Sequence, residues 1–162
     1  MDIREYTEKD KERVVEIFTR NLETYKNYIS HGELQMGLTY DGLNLVTDFK
    51  EKWTKYLERH HNNPKSFVYV CEDDATIVGF TILGIENDHD KDYGVVYDML
   101  IVPEYRGKGA GGKILDFALE LFKSKDITQC YLESGVDNHS AHAFFEKKGF
   151  EHVSNIYRLI NL

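Results

Sequence analysis

The sequence predicts a mixed α+β fold, a sheet flanked by helices. Three observations carry this expectation. Runs rich in β-branched and aromatic residues follow one another through the middle of the chain, from "SFVYVCED" to "VVYDMLIV". Apolar residues at helical spacing dominate the stretches before and after those runs. No internal repeat, low-complexity tract or Pro/Gly/Ser linker interrupts the 162 residues, so 1–162 reads as one domain, long enough for a real core.

Taken in order, a short strand over Met1 to Tyr6 meets a helix start at Thr7. Asp10 stands at the third position, where it suits the helix dipole. Val14, Ile17, Phe18 and Leu22 then form one apolar stripe. The stretch from Tyr25 to Asp41 is aromatic, broken by glycines, and fits neither period. A second helix carries Val46, Phe49, Trp53, Tyr56 and Leu57, and Asn63-Pro64 stops it. "SFVYVCED" and "ATIVGFTILGIE" around an acidic turn predict a hairpin, and "VVYDMLIV" a third strand. A helix follows with Ile114, Leu115, Ala118, Leu121 and Phe122 as its stripe. "TQCYLESGV" is a further strand and "DNHSAHAFFEKKG" a short helix stopped by Gly149. The tail "FEHVSNIYRLINL" predicts two short strands around Ser154-Asn155.

Composition narrows the function. With 41% hydrophobic and 30% charged residues the chain resembles an ordinary soluble globular protein. It holds no apolar run near the ~18 residues of a membrane span, so no membrane partner is expected. Its polar start, "MDIREYTEKDKERVV", is unlike a secretory signal. Cys71 and Cys130 each sit in a strand-like run and read as thiols of a reducing, cytoplasmic setting. The 28 acidic and 20 basic residues give a net charge of −8, which argues against a nucleic-acid partner. That charge is compatible with a cationic ligand, although an acidic surface that merely aids solubility is the commoner explanation. His139 and His142 lie three apart, but without a third ligand no metal site is expected.

The segment most suggestive of chemistry is "PEYRGKGAGGK", with Gly107, Gly109, Gly111 and Gly112 between a strand and a helix. There the first helical amides lack partners and the dipole favours anions, while glycine lets the backbone approach a phosphate. A plain strand-to-helix turn needs fewer glycines than this. Gly107 to Lys113 fits a P-loop by spacing, yet Ile114 stands where Ser or Thr must hold magnesium. The letters G-x-G-x-x-G also occur, but Asp126 precedes the next strand instead of ending it, against a dinucleotide fold.

"VPEYRGKGAGGKIL" resembles the pyrophosphate loop of the GNAT family of acetyl-CoA-dependent N-acetyltransferases, with Arg106, Gly109 and Gly111 at the pattern positions. "DNHSAHAFFEKKGF" is similar to a second motif of that family, matched by Asn138, Ala141, Phe144, Phe145, Gly149 and Phe150. The resemblance is strong from about Val95 to Phe150 and weak from Tyr25 to His61. It implies a three-layer α/β/α arrangement around a mixed, mostly antiparallel twisted sheet whose central strands splay. The co-substrate it implies is acetyl-CoA, with no metal. By the resemblance, Met99, Leu100 and Ile101 pair with the pantetheine arm. Arg106, Gly107, Lys108, Gly109, Ala110, Gly111 and Gly112 hold the pyrophosphate. Asn138 and Phe145 line the other side of the splay, and Lys147 or Lys148 meets the outer phosphate.

The implied reaction is direct attack of an amine on the thioester, which needs a base, an oxyanion donor and a way to protonate the leaving thiolate. Many relatives use Tyr as the acid where this chain has Phe145, leaving Tyr131 and Tyr157 as candidates. Glu133 is the first candidate base and Asp98 the second. Tyr97 is the third catalytic candidate, although strand alternation sets Tyr97 and Asp98 on opposite faces. A structural role for Glu133 remains an even alternative. Tyr25, Tyr28 and Tyr40, with Glu33, Asp41 and the acidic Glu86–Asp90, form the expected pocket for a polyamine, an aminoglycoside-like amine or a peptide amine. A homodimer is compatible with the resemblance. An acyl-CoA sensor without turnover is the alternative reading, supported by Phe145.

Overall fold

The computed structural model describes residues 1–160. In chain order the elements are β1 (Asp2–Glu5), α1 (Lys11–Thr24), α2 (His31–Gln35), α3 (Phe49–His61), β2 (Ser66–Asp73), β3 (Thr76–Asp88), β4 (Lys91–Ile101), α4 (Ala110–Lys123), β5 (Cys130–Leu132) and α5 (His139–Lys147). The sheet runs β1-β2-β3-β4-β5, antiparallel except for the parallel pair β4–β5. This is the mixed, mostly antiparallel α+β fold that the sequence predicts.

α1 enters through a capping box. Asp10 accepts hydrogen bonds from the Thr7 amide and hydroxyl, at 2.8 and 3.0 Å, and pairs with Arg4 at 2.8 Å. One turn of 3₁₀ helix precedes the α-helix there, because Asp10 closes the first turn early. α1 and α3 cover one face of the sheet. Trp53, wholly buried, stacks on Phe18 at 4.0 Å and meets the edge of Phe80 at 5.6 Å. α4 covers the other face, where Ala118 and Phe122 pack with Leu83, Val96 and Ile127. Three layers result, and both thiols, Cys71 and Cys130, are unpaired.

Two details of the sheet position the site. First, β4 and β5 pair only from Gly94 to Val96. Beyond Val96 the strands part, and β4 continues to Ile101 with its β5-side edge free. Second, Asp98 opposes Ile82 while Val96 opposes Leu83, so Tyr97 is the extra residue of a β-bulge. The bulge turns Asp98 onto the α3 side with Ile82. Tyr97 goes there too, its ring lying against Gly84 where any side chain would be.

Sequence and structure part at the C-terminal side. β5 is three residues long, not the nine of "TQCYLESGV". The expected tail strands are missing, since residues 151–160 belong to no strand and are exposed throughout. Asn161 and Leu162 of that expectation lie outside the described residues. The stretch from Tyr25 to Asp41, unassigned by pattern, holds a 3₁₀ turn and α2, whose start is a capping box of Ser30 and Glu33.

Candidate active site

A cleft of about 1570 Å³ opens where β4 and β5 part, and runs from the start of α4 to the α2–α3 side. At one end lies the glycine loop. Gly107 and Gly109 adopt φ of 71° and 89°, which disfavours any residue with a Cβ. No side chain caps α4, so its first-turn amides are left without helical partners. Gly107, Gly109, Gly111 and Gly112 line the cleft with Met99, Leu100, Ile101, Asn138 and Phe145. These expected cofactor contacts therefore share one cleft, β4 and the loop on one side and the α5 residues on the other. The arrangement fits a diphosphate: free N–H groups at a helix start, and space that a Cβ would occupy.

Three members of the expected loop set differ. Arg106 uses its guanidinium within the fold. Its Nε donates to the Ile101 carbonyl at 3.0 Å, one Nη donates to the buried Asn21 side chain, and its plane lies over Tyr25 and Tyr28 at 4.8 and 5.2 Å. It braces the loop against α1. Lys108 turns its ammonium over Tyr105, 5.3 Å from the ring, and Ala110 buries its methyl in the core, so neither side chain lines the cleft. On α5, Lys147 lines the cleft, whereas Lys148 is paired with Asp116 of α4 at 2.7 Å.

The other end of the cleft holds the candidate catalytic groups. Asp98 and Tyr97 both line it, so the expectation that alternation separates them is wrong; the bulge overrides the two-residue period. Asp98 Oδ2 and the indole N–H of Trp53 are both shut off from solvent without a well-aligned hydrogen bond. Burial, with Glu33 nearby, pushes the Asp98 carboxyl well above the usual range, against the opposing pull of the Tyr56 and Trp53 donors beside it. Tyr97 donates its hydroxyl to Glu86, and its ring meets His60 at 4.5 Å. His60 is held neutral by burial, its pKa lowered to about 4, with Nδ1 2.9 Å from Ser66 Oγ.

Glu133 also lines the cleft, but its carboxylate is engaged. Oε1 accepts from the Gly32 amide at 2.9 Å and Oε2 lies 3.5 Å from His31 Nδ1. It ties β5 to the start of α2. Of the candidate acids, Tyr131 lines the cleft and Tyr157 does not, being 89% exposed.

The expected acceptor pocket needs correction. Tyr28 and Glu33 line the cleft; Tyr25, Tyr40, Asp41 and Glu86–Asp90 do not. Tyr25 is stacked on Tyr28 beneath Arg106. Tyr40 sits on an exposed turn where Asp41 accepts from the Leu43 and Asn44 amides. Glu86–Asp90 belongs to the β3–β4 hairpin, whose pairing continues to Asp88↔Lys91. In their place α3 contributes Lys52, Lys55, Tyr56, Arg59 and His60, so the wall is of mixed charge, not simply acidic. Their spacing of three and four residues marks one helix face, which the sequence carries without saying that a cleft lies against it.

The match to known proteins agrees with this geometry. Residues 38–150 match the model of the acetyltransferase (GNAT) family. N-alpha-acetyltransferase 30 of Schizosaccharomyces pombe is 31% identical over 114 residues, covering 68% of this chain and 75% of that protein. Among solved structures, a predicted acetyltransferase from Clostridium acetobutylicum, crystallised with acetyl-CoA, superposes with a TM-score of 0.71 at 18% identity, covering 98% of this chain and 95% of that one. An aminoglycoside antibiotic 6'-N-acetyltransferase from Acinetobacter haemolyticus has a TM-score of 0.74 at 12% identity, covering 100% and 99%.

Proposed function

The chain belongs to the acetyltransferase (GNAT) family, and from that premise we propose that it carries the acetyl group of acetyl-CoA to the α-amine of a peptide or protein. One observation carries the reading. A single cleft joins the uncapped, glycine-rich start of α4 to the buried carboxyl of Asp98, along the free edge of β4. The loop amides take the diphosphate, the edge from Met99 to Ile101 takes the pantetheine arm, and Asp98 faces the amine.

Two considerations favour an α-amine over a polyamine or an aminoglycoside. The fission-yeast relative is named for α-amine acetylation. The second is the supply of free base. An α-amine of pKa about 8 is roughly a tenth unprotonated at pH 7, whereas an alkylamine of about 10.4 is below one part in a thousand. An α-amine therefore asks little of the site, and this site offers little: Glu133 is occupied by Gly32 and His31. Asp98 ranks ahead of Glu133 as the proton acceptor, since burial outweighs the Tyr56 and Trp53 donors beside it and moves its pKa upward, toward that of the amine. The wall combines Arg59 and the ion-paired Lys52 and Lys55 with Glu33, a mixture that suits a peptide better than a polycation, which would want an acidic lining.

Acetyl-CoA supplies the activated acetyl group. Backbone N–H groups of Met99 to Ile101 meet the charge that develops on its carbonyl oxygen. Phe145 packs beside the sulfur without donating, and Tyr131 or water protonates the thiolate. Thiol release is measured with three acceptors: an N-terminal peptide, spermidine and an aminoglycoside. Turnover of the peptide alone or preferentially is expected; preference for either polyamine-type acceptor would sink the α-amine assignment, and no turnover with any would favour a sensor.

A further inference from the structure

The acceptor end of the cleft holds more charge than acetyl transfer needs, and nearly all of it is engaged within the protein. Glu33 Oε2 accepts from the Ser30 amide and hydroxyl at 2.6 and 2.7 Å, closing the capping box of α2. Glu133 is held by the Gly32 amide and His31. Lys52 pairs with Asp48 at 3.1 Å and Lys55 with Glu51 at 2.7 Å, each one turn back along α3. Burial keeps His60 neutral. Among the described residues that line this end, two charged side chains remain: Asp98, which faces the amine, and Arg59.

Arg59 breaks the pattern of its own helix. Lys52 and Lys55 each have a carboxylate four residues before them, the spacing that satisfies an exposed cation within a helix. The positions three and four away from Arg59 hold Lys55, Tyr56, Asn62 and Asn63, none of them acidic. The adjacent Glu58 turns instead to Lys11 of α1, at 2.9 Å. What holds Arg59 is the ring of Tyr56, whose centroid lies 5.5 Å from the guanidinium carbon. That contact restrains the side chain against the cleft wall and supplies no acceptor for its N–H groups.

The same tyrosine relates Arg59 to the reaction centre. The guanidinium lies over its ring, and its hydroxyl end is beside Asp98. The cleft thus presents two poles around one phenol ring, a carboxyl for the amine and a guanidinium that lacks an anion. Extended chain advances roughly 3.3–3.6 Å per residue, so a peptide bridges such a gap within its first two residues. The planar guanidinium fork matches a carboxylate with two parallel bonds, which neither an amide nor a hydroxyl reproduces, and it repels an ammonium.

We propose that Arg59 is a specificity-determining residue that selects acceptors with an acidic side chain, Asp or Glu, within the first two residues of the acetylated N-terminus. This rests on the α-amine reading and narrows it. The net charge of −8 opposes an acidic peptide at a distance, so selection falls on this one contact at short range.

The test reads a ratio. Thiol release is measured with peptides identical except for Glu, Gln or Lys at residue 2, and with a second set varied at residue 1. In one of the two sets, wild-type kcat/KM for the Glu peptide should exceed that for Gln by about tenfold, mainly through KM, with Lys the poorest. The advantage should shrink at high salt. Arg59→Gln should level Glu and Gln, and Arg59→Glu should invert the order so that the Lys peptide becomes the best. Inversion is a gain that a damaged fold cannot produce. Equal rates with Glu and Gln in both sets, or an order that Arg59→Glu leaves in place, overturn the proposal while the α-amine reading stands. No release from any peptide would sink that reading and this proposal with it.

Discussion

Gly109 and Gly111 stand two residues apart in the same loop, yet alanine at each should act with opposite sign. Gly109 has φ of 89°, where a Cβ costs about 1–2 kcal/mol even though nothing lies within 4 Å to clash with it. For a chain of this size that is a fall of roughly 2–8 °C in Tm. Gly111 already has helical backbone, in the first turn of α4, and its Cβ would meet only Phe144 at 3.8 Å and Ile101 at 4.0 Å. Gly111→Ala should therefore stabilise the free protein by about 0.5 kcal/mol through helix propensity, a rise of roughly 1–2 °C. The same methyl, however, projects into the cleft between β4 and α5. Overpacking of about 1.4 kcal/mol there weakens acetyl-CoA tenfold. At a ligand concentration of ~100 Kd the wild type gains about 2.7 kcal/mol, and the variant would keep about 1.4 kcal/mol, half the thermal shift. The assay is differential scanning fluorimetry with and without acetyl-CoA. If Gly111→Ala keeps the full shift, or melts as low as Gly109→Ala, the diphosphate does not sit on the α4 start as argued.

Three further outcomes follow from the site and the core. Asp98→Asn should keep the acetyl-CoA thermal shift while lowering kcat by about 10²–10⁴. Because burial raises the folded pKa of Asp98 above its unfolded value of 3.8, the stability it contributes is complete below that value and is lost as pH rises. The Tm of Asp98→Asn relative to wild type should thus climb between pH 4 and pH 7, and a flat difference would show a solvated carboxyl. His60 has the opposite sign: its folded pKa of about 4 lies below the 6.5 of a free imidazole, so stability is lost as pH falls from 6.5 toward 4. Denaturant melts of wild type against His60→Gln should show on the order of 1–3 kcal/mol of that loss in wild type only. Trp53→Ala should cost about 3–5 kcal/mol by urea unfolding, since its ring fills the core between Phe18 and Phe80.

Much of this architecture was legible where pattern is local. "SFVYVCED" coincides with β2, and the α4 stripe of Ile114, Leu115, Ala118 and Phe122 is buried as spaced. The cofactor end of the site could be read because one loop and one helix carry it contiguously. The acceptor end could not. It is assembled from α2, α3, β4 and β5, far apart in the chain, and α3 shows it Lys52, Lys55 and Arg59, residues that pattern alone assigns to a solvated face. Tyr40 and Asp41 have suitable chemistry, but an Asx turn holds them at the surface. The tail has strand composition without a strand, because composition alone does not supply an edge to pair with.

The bulge at Tyr97 also sets which face the second half of this strand presents. Upstream of it, Gly94 and Val96 face α4; downstream, Asp98 and Leu100 face the other layer. The strand thus changes parity at one residue. A regular ladder that paired Tyr97 as well would send the carboxyl of Asp98 to the α4 side and Met99 to the α3 side. Removing Tyr97 would instead leave Val96 opposite Leu83 and Asp98 opposite Ile82, so both would keep their faces. Position 97 is therefore a spacer that resets the reading frame of the site, a task that depends on one residue left out of the pairing more than on the tyrosine itself.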